Sequence, residues 1–236
     1  LKTTRALNPS VRDIELADAI LILGEDLTNT AARIALAVRQ ATRGKAIVMA
    51  EQMGIQEWQD GAVRNLAQAE RSPLFIATAA STKLDDIALK TLTLAPEEIA
   101  EFGLNLASQL TEGNSEDRQI IEIATYLTNA KRPLIISGPS LLNKNIVESA
   151  AAVAEALVTI NQNTQLSFTS PESNSTGSIL LSEDQNLTLQ EVIKGINEFD
   201  VLIVLENDLS RRLSAFEMTQ INASSAKIIS IDILEN

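Results

Sequence analysis

Asp18-Ala19-Ile20-Leu21-Ile22-Leu23-Gly24-Glu25-Asp26-Leu27-Thr28 is the stretch on which the fold turns. Five uninterrupted aliphatic residues bounded by polar ones match a strand buried on both faces, as in parallel sheets covered by helices. The polar turn after them offers helix-capping side chains. A helical period then runs from about Ala31 to Arg43, with Thr28, Asn29 or Thr30 as its cap and Gly44 as its stop. Strand, turn and helix in this order form the repeating unit of α/β architecture.

The same alternation extends in both directions. A short helix from Ser10 to Ala17 precedes the first strand, with Pro9 and Ser10 as its start signal. Downstream, Ala46–Met49 reads as a strand, Gln56–Glu70 as a helix and Leu74–Ala77 as a strand. A short strand near Leu92–Leu94 leads to a helix opened by Pro96-Glu97-Glu98. Gly113-Asn114-Ser115 is a polar break, after which a helix over Ser115–Ala130 restarts the pattern. The strand Leu134–Ile136, the helix Asn145–Val158 and the strand Leu166–Thr169 follow, then the loop Ser170–Gly177. Helix Leu189–Asn197, strand Val201–Leu205, helix Leu213–Ile221 and strand Ile228–Ile231 complete the series. The expectation is an α/β fold of two small doubly wound, Rossmann-like parallel-sheet units, residues 1–113 and 114–236.

The opening stretch has an echo. Asp200-Val201-Leu202-Ile203-Val204-Leu205-Glu206-Asn207-Asp208-Leu209-Ser210 repeats the acidic entry, the five apolar residues and the turn ending Asp-Leu-Thr/Ser. Asp18 aligns with Asp200 and Asp26 with Asp208, and we read the pair as a pseudo-repeat.

Composition removes whole classes of chemistry. The chain has no Cys and no His among 236 residues. Iron–sulfur, zinc and haem sites held by those side chains, and nucleophile–imidazole pairs, are therefore absent from it. Its nine glycines are scattered, and the closest two, Gly54 and Gly61, are too far apart for a G-x-G-x-x-G or a P-loop pattern. A balance of 19 basic to 31 acidic residues, net −12, with 3% aromatics opposes a nucleic-acid partner. No apolar run approaches the roughly 20 residues of a membrane span, and no signal peptide is read at the start. The opening at Leu1 and the ending just past an apolar run read as cuts in a longer polypeptide.

Ligands of open α/β sheets sit outside the carboxyl ends of the strands. Gly24, Glu25 and Asp26 with Thr28, and Glu206, Asn207 and Asp208 with Ser210, occupy such positions. Their carboxylates and amides suit ribose hydroxyls or purine N–H groups. The same residue types also cap helices, and capping is the reading favoured from sequence. Asp85 and Asp86 beside Lys83 read as a solvated surface or a cap, Glu97 and Glu98 as first-turn acids, and Trp58 and Tyr126 as packing residues.

Asp13 to Ala31, continuing into Arg33-Ile34-Ala35-Leu36-Ala37-Val38-Arg39-Gln40-Ala41, resembles the C-terminal part of the large iron–sulfur (G) subunit of bacterial NADH:quinone oxidoreductase, respiratory complex I. Lys83–Ala88, Lys131–Gly138, Asn174–Gly177 and Val204–Leu209 resemble the same family, in the same order. That region is similar in turn to molybdopterin oxidoreductases such as formate dehydrogenases and DMSO reductase-type domains, in which two nucleotide-binding-like domains hold a bis-guanine-dinucleotide cofactor. In complex I the resemblance implies a relic without molybdenum. It implies no cofactor in this chain, iron–sulfur clusters elsewhere in the subunit, and a place in the peripheral arm on the cytoplasmic side of the inner membrane. The implied partners are other complex I subunits and the N-terminal part of its own subunit, without nucleic acid or membrane insertion. The stretch Ser178–Asp184 is shorter and poorer in glycine than expected of relatives. The expected function is a non-catalytic structural module. The alternative is a working guanine-dinucleotide site with Asp26 and Asp208 on the two guanosines. A third reading, a thiamine-diphosphate enzyme's central domain, rests on Ala130–Gly138 alone and lacks the Gly-Asp-Gly signature.

Overall fold

The apolar run after Asp18 forms the central strand β1, Ala19–Leu23, and every one of its residues is buried. A computed structural model describes residues 4–170, 175, 177, 181 and 187–233. The loop expected at Ser170–Gly177 and the stretch Ser178–Asp184 lie largely outside them. β1 pairs in parallel with β2, Leu74–Thr78, on one side and with β4, Pro133–Ser137, on the other. β3, Lys90–Thr93, and β5, Gln165–Phe168, complete the sheet in the order β3-β2-β1-β4-β5. Leu21 faces Phe75 and Ile135 across the two ladders.

Alternate side chains of β1 enter different cores, as the two-residue period of a strand requires. Ala19, Leu21 and Leu23 pack with α6 (Pro96–Glu112), α7 (Arg118–Asn129) and α8 (Lys144–Ile160), among them Leu106, Ile123 and Val153. Ile20 and Ile22 pack on the opposite face with α1 (Val11–Glu15) and α3 (Ala32–Thr42), through Ile14, Val38 and Ala41. Helices thus cover both faces of the five-stranded sheet. Asp18 fixes the entry to β1, its carboxylate accepting from the backbone N–H groups of Lys131 and Arg132 at 2.8 and 2.7 Å just before β4.

Three expectations are corrected. Ala46–Met49 lies inside a helix, α4 (Gly44–Gln52), not in a strand. Its Ala46 and Ala50, four apart on one helical face, pack with Val63 and Ala67 of α5 (Asp60–Ala67). Gly44 accordingly begins a helix, and the short α2 (Leu27–Thr30) precedes α3. The expected boundary near Gly113 is also displaced. Gly113, at φ +69°, is the left-handed C-cap of α6, and β4 and β5 beyond it join the sheet of β1. The compact units are residues 1–173 and 174–236. Finally, Trp58 is 79% exposed and packs in no core, whereas the Tyr126 ring lies 5.6 Å from that of Phe75.

The second unit contains β6, Val201–Leu205, in parallel with β7, Lys227–Ile231. The helices Leu189–Lys194 and Ala215–Asn222 are each opened by a capping box, Thr188 with Glu191 and Ser214 with Glu217. Their Ile193 and Ile221 form a small core with Leu213, joined by Leu202 of β6. The described part of this unit is a two-stranded sheet rather than a complete doubly wound one.

Candidate functional site

The strand order reverses between β1 and β4, which makes the crevice at their carboxyl ends the place where a doubly wound sheet takes a ligand. The turns after the two strands meet there. Gly24, at φ +74°, turns the chain out of β1 while its N–H bonds the Ala77 carbonyl at 2.8 Å. A Cβ on Gly24 would stand 2.8 Å from Cγ2 of Ile146 in α8, so the helix packs directly against this turn.

Glu25 points inward and is 1% exposed. Its carboxylate accepts from the Ser140 N–H at 3.0 Å, the Ser140 hydroxyl at 2.6 Å and the Thr30 hydroxyl at 3.0 Å. Ser140 belongs to the turn after β4, so these bonds close one side of the crevice onto the other. Gly138 makes the approach possible, because a Cβ there would lie 2.3 Å from both Glu25 Oε1 and Thr169 Oγ1. Neither Ser140 nor Gly138 was legible as a partner of Glu25, since more than a hundred residues separate them from it.

Asp26 is the N-cap of α2. It accepts from the Thr28 N–H at 3.0 Å, the Thr28 hydroxyl at 2.5 Å and the Asn29 side chain at 2.6 Å. Both of its oxygens are engaged within its own turn.

The echo carries the same backbone in the second unit. Glu206, aligned with Gly24, also has a positive φ, +45°, and its N–H bonds the Ile231 carbonyl at 2.8 Å. Asp208 caps the following turn as Asp26 does, accepting from the Ser210 N–H at 2.9 Å and its hydroxyl at 2.6 Å. The Ser210 hydroxyl holds the Asp208 carboxyl below the usual carboxylate range. Asn207 accepts from Arg212 Nε at 2.6 Å. A left-handed residue, a hydrogen bond to the neighbouring strand and an Asp cap therefore recur in both units. The six site residues fall into two triplets, one per unit.

The remaining acids have structural partners. Asp85 accepts from the Thr82 N–H and hydroxyl at 3.2 and 2.8 Å. Arg39 grips Asp86 at 3.0 and 3.1 Å and lowers its pKa through those hydrogen bonds. Glu98 closes the first turn of α6 by accepting from the Ala95 N–H at 2.8 Å. Among the described residues no group of three or more His, Cys, Asp or Glu side chains is placed to hold a metal ion, and no helix is long and apolar enough to cross a membrane.

Comparison with known proteins separates fold from family. No family model matches the chain. In fold it is similar to a chain of the formyltransferase/hydrolase complex (FhcABCD) from Methylorubrum extorquens, solved in complex with methylofuran. The TM-score is 0.65 at 13% identity, over 98% of this chain and 62% of that one, a likeness of fold alone. In sequence it is 43% identical over 233 residues to the G subunit of NADH-quinone oxidoreductase from Pseudomonas putida, covering 95% of this chain and 26% of that protein. The same subunit of Pseudomonas fluorescens is 43% identical over 231 residues, with 94% and 25% covered. That of Escherichia coli strain K12 is 36% identical over 244 residues, with 97% and 26% covered. The chain spans about a quarter of the length of these relatives. Identity at this level along nearly the whole chain shows common descent: the chain is homologous to the G subunit of NADH-quinone oxidoreductase over a region amounting to about a quarter of that subunit.

Proposed function

We propose that this region is a non-catalytic structural module, a molybdopterin-oxidoreductase-like relic in the peripheral arm of NADH:quinone oxidoreductase on the cytoplasmic side of the bacterial inner membrane. It supports electron transfer from NADH to quinone, carried by iron–sulfur clusters elsewhere in the subunit, and contacts the rest of its own subunit and neighbouring ones. One observation carries the reading: the bonds from Ser140 to Glu25 draw the two turns together across the crevice where a doubly wound sheet would receive its ligand. A nucleotide entering there would have to break them and displace the Ile146 contact with Gly24. The engagement of Asp26 in its own cap points the same way, since a carboxylate with both oxygens bonded within its turn has less to offer a guanine.

The test uses the assembled enzyme. Asp26→Ala and Asp208→Ala, introduced together into the whole subunit, should leave NADH:quinone turnover per assembled complex unchanged. A fall in turnover with assembly intact would overturn the reading.

A further inference from the structure

In the first unit β1 is covered on both faces; in the second, the described residues of that unit cover β6 on only one. Leu202 packs with Ile193, Leu213 and Ile221, and Val204, two residues on along the same face, is 8% exposed. Val201, Ile203 and Leu205 share the other face and are 43, 61 and 65% exposed. Ile229 and Ile231 of β7, registered opposite Ile203 and Leu205, extend this bare face and are 47 and 53% exposed. Five neighbouring aliphatic side chains on a strand pair are a contiguous apolar patch of the kind that marks an interaction surface. The edge is open as well. Glu206 bonds toward β7, and in a parallel ladder alternate residues bond to opposite sides. The backbone groups of Val201, Ile203 and Leu205 therefore face the free side, where β6 has no partner among the described residues.

The echo indicates what belongs there. Val201, Ile203 and Leu205 align with Ala19, Leu21 and Leu23, whose face is covered by α6, α7 and α8 and whose edge is taken by β4. The described second unit contains the counterparts of β1 and β2 and lacks those of β4 and its covering helices. The homologous subunits are about four times as long as this chain, so the family has polypeptide to supply them.

We propose that β6 and β7 found a second parallel sheet completed in cis by another segment of the same subunit. That segment is an apolar strand lying parallel to β6 on its free edge, with an amphipathic helix over Val201, Ile203, Leu205, Ile229 and Ile231. The surface is thus an intramolecular docking face through which the rest of the subunit grips this module. The proposal rests on the homology with a longer subunit and stands whether or not the crevice at Glu25 accepts a nucleotide.

Hydrogen exchange on wild-type protein tests it without a disruptive variant. Amides of Val201, Ile203 and Leu205 are compared in the 236-residue chain, in the isolated whole subunit and in the assembled complex. Exchange in the whole subunit should be slower than in the 236-residue chain by at least about a hundredfold, as for buried ladder amides. Ile203→Glu in the whole subunit should abolish that protection while leaving the amides of β1 protected. Protection that first appears in the assembled complex would mean that another subunit covers the face, and would overturn the proposal. So would protection in the 236-residue chain that rises with concentration, the mark of a second copy, or an absence of protection in all three.

Discussion

Ser140 donates both its N–H and its hydroxyl to Glu25, at 3.0 and 2.6 Å, and by these two bonds the turn after β4 is fastened over the end of β1. The donor is exposed and the acceptor buried, so Ser140 works as a latch over the Glu25 carboxylate.

Removing either partner should loosen the latch. Glu25→Ala removes the shared acceptor of Ser140 and Thr30 and should lower unfolding stability by about 2 kcal/mol, at about 1 kcal/mol for each hydrogen-bonded partner lost. Ser140→Ala leaves the backbone bond and should cost about 1 kcal/mol. The double variant should show a coupling near the smaller of these in denaturant titrations. Strict additivity would mean that the two residues do not act together.

Gly138 has a separate role, that of leaving room. Gly138→Ala places a methyl 2.3 Å from Glu25 Oε1 and Thr169 Oγ1, and overpacking of that kind costs about 1–3 kcal/mol. Chemical denaturation should show the loss, and Gly138→Ala in a Glu25→Ala background should cost less. An equal cost in both backgrounds would contradict the arrangement.

Glu206 occupies a left-handed conformation that its counterpart in the first unit assigns to Gly24. The left-handed region costs a non-glycine residue about 1–2 kcal/mol, and glycine returns roughly 0.5–1 kcal/mol of that through unfolded-chain entropy. Glu206→Gly should therefore raise the stability of the second unit by up to about 1 kcal/mol. A clear loss in thermal melts would show that the Glu206 side chain contributes contacts that outweigh the strain.

Several capping carboxylates give the fold a definite acid sensitivity. Backbone and hydroxyl hydrogen bonds from Thr188 and Ser214 lower the pKa of Glu191 and Glu217, and Ser10 does the same for Asp13. A carboxyl whose folded pKa lies below its unfolded value stabilises the fold above that unfolded value, and the contribution is lost as pH falls through the folded pKa. Thermal stability should decline as pH is lowered from about 5 toward 3, across the ordinary carboxylate range. The net charge of −12 acts in the opposite direction, since protonation relieves repulsion, so the melts belong at about 0.15 M salt, where surface charges are screened. Stability that stays flat or rises on acidification would mean that the caps contribute little.

Periodicity and caps were legible in the sequence because they are local. The run Ala19–Leu23, the Pro96 start of α6 and the helix expected over Asn145–Val158 all lie where the pattern puts them. The echo of Asp18–Thr28 in Asp200–Ser210 was visible as letters, and the structure adds the shared left-handed turn and cap. What failed depended on distant partners. Ala46-Ile47-Val48-Met49 has strand composition, but alanines four apart find a helix, α5, to pack on. Gly113 looked like a boundary because a helix C-cap and a linker use the same residues, and only the pairing of β1 with β4 distinguishes them. The latch was hidden for the same reason, since Glu25 after a strand reads as a cap before it reads as a ligand, and neither reading names Ser140 as its partner.

Titration calorimetry of the folded 236-residue chain with GMP and GDP at low salt tests the central claim most directly. A structural module with a latched crevice should release no binding heat up to millimolar nucleotide. Saturable binding tighter than roughly 10 μM, about −7 kcal/mol, would mean that the crevice opens to a guanine nucleotide, and would contradict the account.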